Sequence, residues 1–147
     1  MLQILIPISG HSSFFPRDEF YFPKPLLEIA GRPMISLVIE QLKRSFHDAR
    51  FVFVVDKDDA RTFSLDRTLS LLTGSATRIV EKPGPTSGAL CSCLLAVDEL
   101  DLDKPLIISN SDQIIDDDLG NVINNFASRQ AKAGVLTFDS VHPRWSY

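Results

Sequence analysis

The chain has 147 residues, 44% of them hydrophobic, and a formal net charge of -4 at neutral pH. This length and apolar content suffice for one compact domain with a buried core. The acidic balance argues against a nucleic-acid-binding protein, because binding to a phosphate backbone generally needs a basic face.

The compartment is predicted from what the sequence lacks. No stretch approaches the ~18 apolar residues of a membrane span, and the first residues have no charged region of a secretory signal. Only two cysteines occur, Cys91 and Cys93, and two residues apart on a helix they would point to different faces, which excludes a disulfide framework. We therefore expect a protein of the reducing cytoplasm without a membrane span.

Short apolar runs and helical patterns alternate along the whole chain. Runs too short for a helix predict strands buried on both faces, and apolar residues at helical spacing predict the helices between them. In chain order the pattern predicts five strands, over 2–8, 51–55, 76–80, 105–109 and 133–138, with a long loop over 9–22 and a Pro/Gly loop over 81–88. The first helix runs from Pro33 to about Ser45, and the second is capped by Asp56, Asp58 and Asp59 and has an apolar stripe at Leu65, Leu69 and Leu72.

The third helix is lined by Ala89, Leu90, Cys93, Leu94 and Val97, and the fourth contains Leu119, Val122, Ile123 and Phe126.

This alternation predicts the fold class. Strands that alternate with helices form a mostly parallel sheet covered on both faces, so we expect an α/β, Rossmann-like, three-layer αβα fold. Ligands of such sheets bind beyond the carboxyl ends of the strands. The segments that come there are 9–22, 81–88 and 110–116.

Residues 23–35, with the sequence PKPLLEIAGRPMI, resemble the P-K-P-L, I-x-G-[KR]-P-M-I signature of the sugar-1-phosphate nucleotidyltransferases. Residues 109–113 (SNSDQ) are similar to the family's short strand-to-aspartate motif, and residues 86–89 (TSGA) to its base-binding turn. The motifs occur in the family's order. The resemblance implies a nucleotidyltransferase that joins a nucleoside triphosphate to a sugar phosphate, or to a similar phosphorylated alcohol, releases pyrophosphate with Mg²⁺ as cofactor, and serves surface polysaccharide biosynthesis.

Two charged residues are the main candidates for chemistry. Lys24 stands between two prolines that restrict its backbone, and its ammonium group would supply a point charge to a phosphate; otherwise it is a surface lysine in a rigid turn. Asp112 follows a strand directly, where one or two carboxylates would hold magnesium near phosphates; otherwise it is a turn or N-cap aspartate. Asp116, Asp117 and Asp118 fit helix capping better than metal binding.

Small residues of two loops are the candidates for nucleotide binding. Ser9, Gly10 and Ser12 lie in the first loop, where a glycine lets backbone N–H groups approach phosphates. Gly88 and Ala89 lie where a helix could start close against a base. Ordinary turn formation remains the alternative for both glycines.

The first loop departs from the family pattern G-x-G-x-R-[FM]. Alignment without gaps from Pro23 places Ser12 on the second glycine and Phe14 on the usual catalytic arginine. Arg17 follows three residues later, and we predict that it reaches the same phosphates from a rearranged loop. His11 is a weaker candidate for a phosphate contact, since a histidine in a polar loop is more often solvated.

The first loop is also unusually aromatic, with Phe14, Phe15, Phe20, Tyr21 and Phe22. Such rings stack on a base or cover a hydrophobic ligand in some proteins. Packing against the domain or a partner surface is the interpretation that we favour.

The resemblance places residues 141–147 in the middle of a family domain. We expect a single nucleotidyltransferase-like domain over 1–147 that carries the nucleotide-binding portion. The sugar-binding strands and a second metal-binding aspartate would be absent. A sheet left uncovered in this way predicts self-association into a homo-oligomer.

Three functions remain open at this point. The first is the active nucleotidyltransferase. The second is an inactive homologue that binds nucleotide or sugar, which Phe14 favours. The third is a glycosyltransferase with a related sheet, although residues 111–113 (SDQ) make a poor D-x-D motif and the P-K-P-L run has no expected place in that class.

Overall fold

The computed structural model of the protein describes residues 1–8, 15–16 and 18–139. The chain divides into two compact units, Met1–Asp116 and Asp117–Tyr147, which are described separately. The first unit contains the strands β1 (Gln3–Pro7), β2 (Glu28–Ile29), β3 (Arg32–Pro33), β4 (Arg50–Asp56), β5 (Arg78–Lys82) and β6 (Leu106–Ile108), and the helices α1 (Met34–Ser45), α2 (Lys57–Phe63), α3 (Leu65–Thr73) and α4 (Ala89–Leu94). The second unit contains α5 (Leu119–Ser128).

The central sheet is parallel and has the order β5-β4-β1-β6. The chain first steps outward from β1 through β4 to β5, and then returns to the other side of β1 as β6. Because crossovers between parallel strands are right-handed, the helices of the outward steps cover one face and α4, in the return step, covers the other. The α/β fold with helices on both faces is thereby confirmed, and the order of the strands reverses between β1 and β6.

The core is built on the two central strands. Leu5, Val52 and Val54 pack on one face with Cys93 of α4. Alternation along a strand directs their neighbours to the opposite face, where Phe51 and Phe53 lie stacked with ring centroids 6.0 Å apart. Residues 4–7 of β1 and 51–55 of β4 are all apolar because both faces of these strands are covered. The helix stripe predicted for α1 is buried at Ile35, Val38, Ile39 and Leu42.

The helix predicted after β4 is two helices. Asp56 caps α2 as expected, since its carboxylate accepts a hydrogen bond from the Asp58 amide at 3.0 Å. Ser64 then adopts a left-handed conformation with φ of 52°, which separates α2 from α3. A non-glycine residue in this region interrupts helical hydrogen bonding. The leucine pattern revealed the apolar face of α3, but nothing in it marked this break.

Two strand predictions were wrong in part, and one was wrong altogether. The third strand spans Arg78–Lys82 instead of 76–80, because its pairing with β4 extends to Asp56 and Lys82. β6 is not buried, since Ile108 is 57% exposed on a strand that pairs with β1 on one side. Residues 133–138 are not a strand: within the described residues they have no sheet partner, and an apolar run alone does not make a ladder.

α4 buries only part of the predicted side. Cys93 is buried as predicted, but Leu90 and Leu94 are exposed, and the buried Ser92 is not part of the predicted stripe. The two cysteines do point to different faces, because Cys91 is exposed and Cys93 is buried, and burial raises the pKa of the Cys93 thiol.

Among the described residues, no helix is long and apolar enough to cross a membrane.

Candidate functional site

The family-like segment from Pro23 to Ile35 forms a turn, a hairpin and the start of α1. Lys24–Leu26 is a 3-10 turn that follows Pro23, and Pro25 is buried beneath it. β2 and β3 pair in antiparallel fashion around Ala30 and Gly31, which have φ of 52° and 77°. Two consecutive positive φ values are typical of a tight type I′ hairpin, which explains the glycine of the signature. The segment therefore fixes where the Lys24 side chain starts.

Lys24 and Asp112 form an ion pair across 88 positions of the sequence. Their side chains are 27% and 30% exposed, so solvent still reaches both. The Lys24 ammonium also lies 5.9 Å from the centroid of the Phe15 ring, within the range of a cation–π contact. The sequence predicted a role for each residue, and the structure shows that they meet.

Asp112 lies just beyond the carboxyl end of β6. The segment after it is tied to α1 by the Gln41 side-chain amide, which donates to the Ile115 carbonyl and accepts from the Ile115 amide at 3.0 Å. Two hydrogen bonds from one amide fix both the position and the direction of the backbone. Gln41 was not noticed in the sequence, because a glutamine on a helix carries no distinctive pattern.

A cleft of about 1010 Å³ opens beyond the carboxyl ends of β1, β4 and β5. Gly88 and Ala89, for which the sequence predicts a role in nucleotide binding, line it. Asn110, which stands two residues before Asp112 in the sequence, also lines it. This edge of the sheet, near the reversal of strand order, is where α/β proteins bind ligands.

Gly88 is the glycine of this site whose conformation matters. Its φ is 125°, which strains any residue with a side chain, and a Cβ added there would meet nothing within 4 Å. The backbone is therefore open on the side where a Cβ would project, and a flat ligand can approach it closely.

The charged side chains among the described residues of the cleft are Asp56, Asp58, Asp59 and Lys82. The Lys82 ammonium donates to the Gly84 carbonyl at 2.6 Å and lies 3.5 Å from the Asp56 carboxylate. Lys82 is 5% exposed, an unusual burial for a lysine. The loop predicted over 81–88 contains Lys82, for which the sequence predicts no role, although a lysine two residues after an apolar run is the available signal.

Aromatic rings flank the same cleft. Phe63, at the end of α2, is one of its lining residues and contacts Tyr21 and Phe22 with centroid distances of 5.6 and 5.8 Å. Phe15 and Phe20 contact each other edge to face at 5.2 Å. This supports the interpretation of the aromatic loop as packing against the domain, while Tyr21 still exposes 75% of its surface.

A second, open depression of about 500 Å³ is lined by residues of α1 together with Arg32, His47 and Leu72. Arg32 of the signature donates to Glu40 at 2.6 Å, and Arg44 bonds the same carboxylate. These hydrogen bonds lower the pKa of the Glu40 carboxyl. Arg32 thus links the hairpin to α1, and this depression is not near the strand ends.

Several predicted site residues lie outside the described part of the chain. These are Ser9, Gly10, Ser12 and Arg17, together with His11 and Phe14. Their roles stay predictions. The structure brings Gly88 and Ala89 into one cleft and pairs Lys24 with Asp112, but these latter two are not among the residues that line the cleft.

Asp112 offers a suitable but sparse donor set for magnesium. Among residues 1–8, 15–16 and 18–139, no cluster of three or more His, Cys, Asp or Glu side chains could hold a metal. Mg²⁺ sites commonly use one or two carboxylates, with waters and substrate phosphates completing the octahedron. A single carboxylate beside a lysine ammonium fits an ion that is shared with a phosphate ligand, and does not fit a permanently bound one.

The fold is that of an α/β protein of Rossmann-like topology with an open cleft at the carboxyl ends of its strands. The family model of the MobA-like NTP transferase domain matches residues 6–145. The chain belongs to this family of nucleotidyltransferases.

Several solved structures share the fold at low sequence identity. HddC from Yersinia pseudotuberculosis is 19% identical with a TM-score of 0.65, and the match covers 86% of this chain and 54% of HddC. 4-Diphosphocytidyl-2C-methyl-D-erythritol synthase from Anaerococcus prevotii is 13% identical with a TM-score of 0.61, covering 88% and 51%. The nucleoside-diphosphate-sugar pyrophosphorylase from Vibrio cholerae is 20% identical with a TM-score of 0.61, covering 83% and 53%.

The chain spans about half the length of these solved structures. Another structure of HddC, which is 18% identical with a TM-score of 0.64, contains GMP-PN. No curated protein matches the sequence significantly. The comparisons therefore establish the family and the fold.

Proposed function

We propose that this protein transfers a nucleotidyl group from a nucleoside triphosphate to a sugar phosphate, or to a similar phosphorylated alcohol, and releases pyrophosphate. The observation that carries the proposal is the meeting of Lys24 and Asp112 beyond the carboxyl end of β6. Phosphoryl transfer depends on positioning and on neutralising phosphate charge more than on covalent help from the protein. A lysine and a metal-binding carboxylate are the groups that this chemistry requires.

The charge of the cleft indicates how a nucleotide would lie. Three aspartates and one lysine, Asp56, Asp58, Asp59 and Lys82, are its charged lining residues within the described part of the chain. Such a surface repels a triphosphate but offers acceptors to the N–H groups of a base. The base would therefore lie in the cleft against Gly88 and Ala89, with the phosphates directed toward Lys24.

Magnesium, when bound, neutralises charge on phosphate oxygens. Asp112 would hold it, and its carboxylate would then turn from the Lys24 ammonium. Lys24 becomes free to contact a phosphate of either substrate. The ion pair thus keeps both groups close to the positions that the proposed reaction needs.

The second candidate is a homologue that binds nucleotide or sugar without transferring it. The specific observation in its favour is Phe14, which stands where the family carries its catalytic arginine. In the active protein, Arg17 would have to supply that charge. A role in surface polysaccharide synthesis follows only from the active alternative.

Pyrophosphate release separates these alternatives. With Mg²⁺, a panel of nucleoside triphosphates and a panel of sugar phosphates and phosphorylated alcohols, we expect release from one triphosphate that needs both magnesium and the second substrate. Calorimetry with the same triphosphates measures binding alone. Binding without release would establish the second candidate, and neither binding nor release with any triphosphate would reject both.

A further inference from the structure

The most deeply buried charge of the cleft has no role in the proposed chemistry. Lys82 is the last residue of β5, is 5% exposed and pairs with Asp56 at the end of the neighbouring strand. A lysine ammonium is costly to bury unless ion pairs and hydrogen bonds compensate it. Lys82 therefore adds a desolvation cost at the edge of the cleft that an apolar residue at the end of β5 would avoid.

The hydrogen bond of this ammonium acts on the loop that follows. Lys82 donates at 2.6 Å to the carbonyl of Gly84, two residues further along the chain. The bond holds the start of the 83–88 loop against the end of β4, through the ion pair with Asp56 at 3.5 Å. Asp56 is itself fixed as the cap of α2. One ammonium thus joins β4, β5 and the loop.

The far end of the loop is tied separately. The hydroxyl groups of Thr86 and Ser92 lie 2.7 Å apart, and the Ser92 amide donates to the Gly88 carbonyl at 3.1 Å. Between the two ties, Pro83, Gly84 and Pro85 line the cleft. Fixing both ends of a short loop greatly limits its conformations, which lowers the entropy that a ligand must overcome when it binds there.

We propose that Lys82 is a positioning residue for nucleotide binding: through Gly84 and Asp56 it holds the 83–88 loop in the form that accepts the base. This inference rests on the proposed function. It predicts that Lys82 acts on affinity through the order of the loop, and that it does not contact the reacting phosphates.

The test compares Lys82→Met with Lys82→Arg and with the matched control Lys43→Met. Lys43 also donates to a backbone carbonyl, that of Leu72 at 3.0 Å, but lies on α1. Hydrogen–deuterium exchange of residues 83–95 measures the order of the loop, and calorimetry with the best-binding triphosphate measures affinity. Thermal unfolding shows which variants are folded.

For Lys82→Met we expect faster exchange over residues 84–88, the loop that the Lys82 ammonium holds at Gly84. We also expect a Kd raised about ten- to a hundredfold, as for a lost hydrogen bond to a charged group. In Lys82→Arg the exchange rate and the Kd should be much closer to the wild-type values, because the guanidinium can bond the Gly84 carbonyl and the Asp56 carboxylate. Lys43→Met should change neither the exchange of the loop nor the Kd. A folded Lys82→Met with unaltered exchange overturns the inference, whatever the protein binds, and so does altered exchange with an unaltered Kd.

If Lys82→Met does not fold, the variants Lys82→Arg and Asp56→Asn test the inference in its place. Asparagine keeps an acceptor for the Asp58 amide but removes the charge that compensates Lys82. Faster exchange and weaker binding in Asp56→Asn support the inference, and wild-type values for both contradict it. Should the wild-type protein bind no triphosphate, the proposed function fails by itself, and the inference fails with it as a statement about nucleotide binding.

Discussion

Lys24→Met is expected to lower kcat/KM for pyrophosphate release by about a hundred- to a thousandfold, the usual cost of losing one preorganised group that stabilises charge in the transition state. The free energy of unfolding of Lys24→Met should be close to that of the wild type. The ion pair with Asp112 is about 30% exposed on each side, and exposed pairs contribute about 0–1 kcal/mol. The melting temperature should therefore fall by less than about 4 °C.

Steady-state kinetics and a thermal melt on the same sample measure both effects. Lys104→Met is a suitable control, since it removes a lysine charge from an exposed loop. It should retain wild-type turnover. Equal turnover in Lys24→Met and Lys104→Met would mean that Lys24 is only a surface lysine in a rigid turn, which was the alternative that the sequence left open.

Asp112→Asn is expected to abolish most of the magnesium dependence and to lower kcat/KM by about a hundredfold or more. The amide keeps the size of the side chain but lacks the charge that attracts Mg²⁺. It also removes the ionic partner of Lys24, so triphosphate binding without magnesium should be equal to or tighter than in the wild type. Titration of activity with Mg²⁺ and calorimetry without it measure the two effects.

Asp116→Asn is the matched control for this substitution. Asp116 lies four residues further on, is exposed, and fits a structural role in the sequence. Its magnesium dependence should equal that of the wild type. If Asp112→Asn behaves in the same way as this control, the carboxylate beside Lys24 is not the metal ligand.

The sequence predicted those features of the fold that depend on local patterns. The apolar runs of β1 and β4 identified buried central strands, because both faces of these strands are covered. The signature from Pro23 to Ile35 identified the turn, and its glycine matches the positive φ found in the hairpin. The spacing of Leu65, Leu69 and Leu72 by four and three residues identified the apolar face of α3.

Other features depend on partners that no local pattern reveals. The run over 133–138 has the composition of a strand, but among the described residues it has no neighbour to pair with. Leu90 and Leu94 have helical spacing, yet the buried side of α4 is set by which face meets Leu5 and Val52. The spacing of apolar residues predicts an apolar face of the helix, but the packing of α4 on the sheet determines which face is buried.

The candidate site shows the same division. Motif resemblance found Lys24, Asp112, Gly88 and Ala89, but not that the first two form a pair or that the last two line a cleft. Lys82 was missed because the cost of burying a lysine becomes visible only once its burial is known. Its partner Asp56 was assigned correctly as a helix cap, and its second contact was not expected.

The most direct test of the account is a crystal structure of the protein with Mg²⁺ and a non-hydrolysable triphosphate. The predicted result is a base in the cleft against Gly88 and Ala89, with phosphates within hydrogen-bonding distance of the Lys24 ammonium and a metal ion held by Asp112. A triphosphate bound elsewhere, or bound in the cleft with Lys24 and Asp112 still paired to each other, would contradict it.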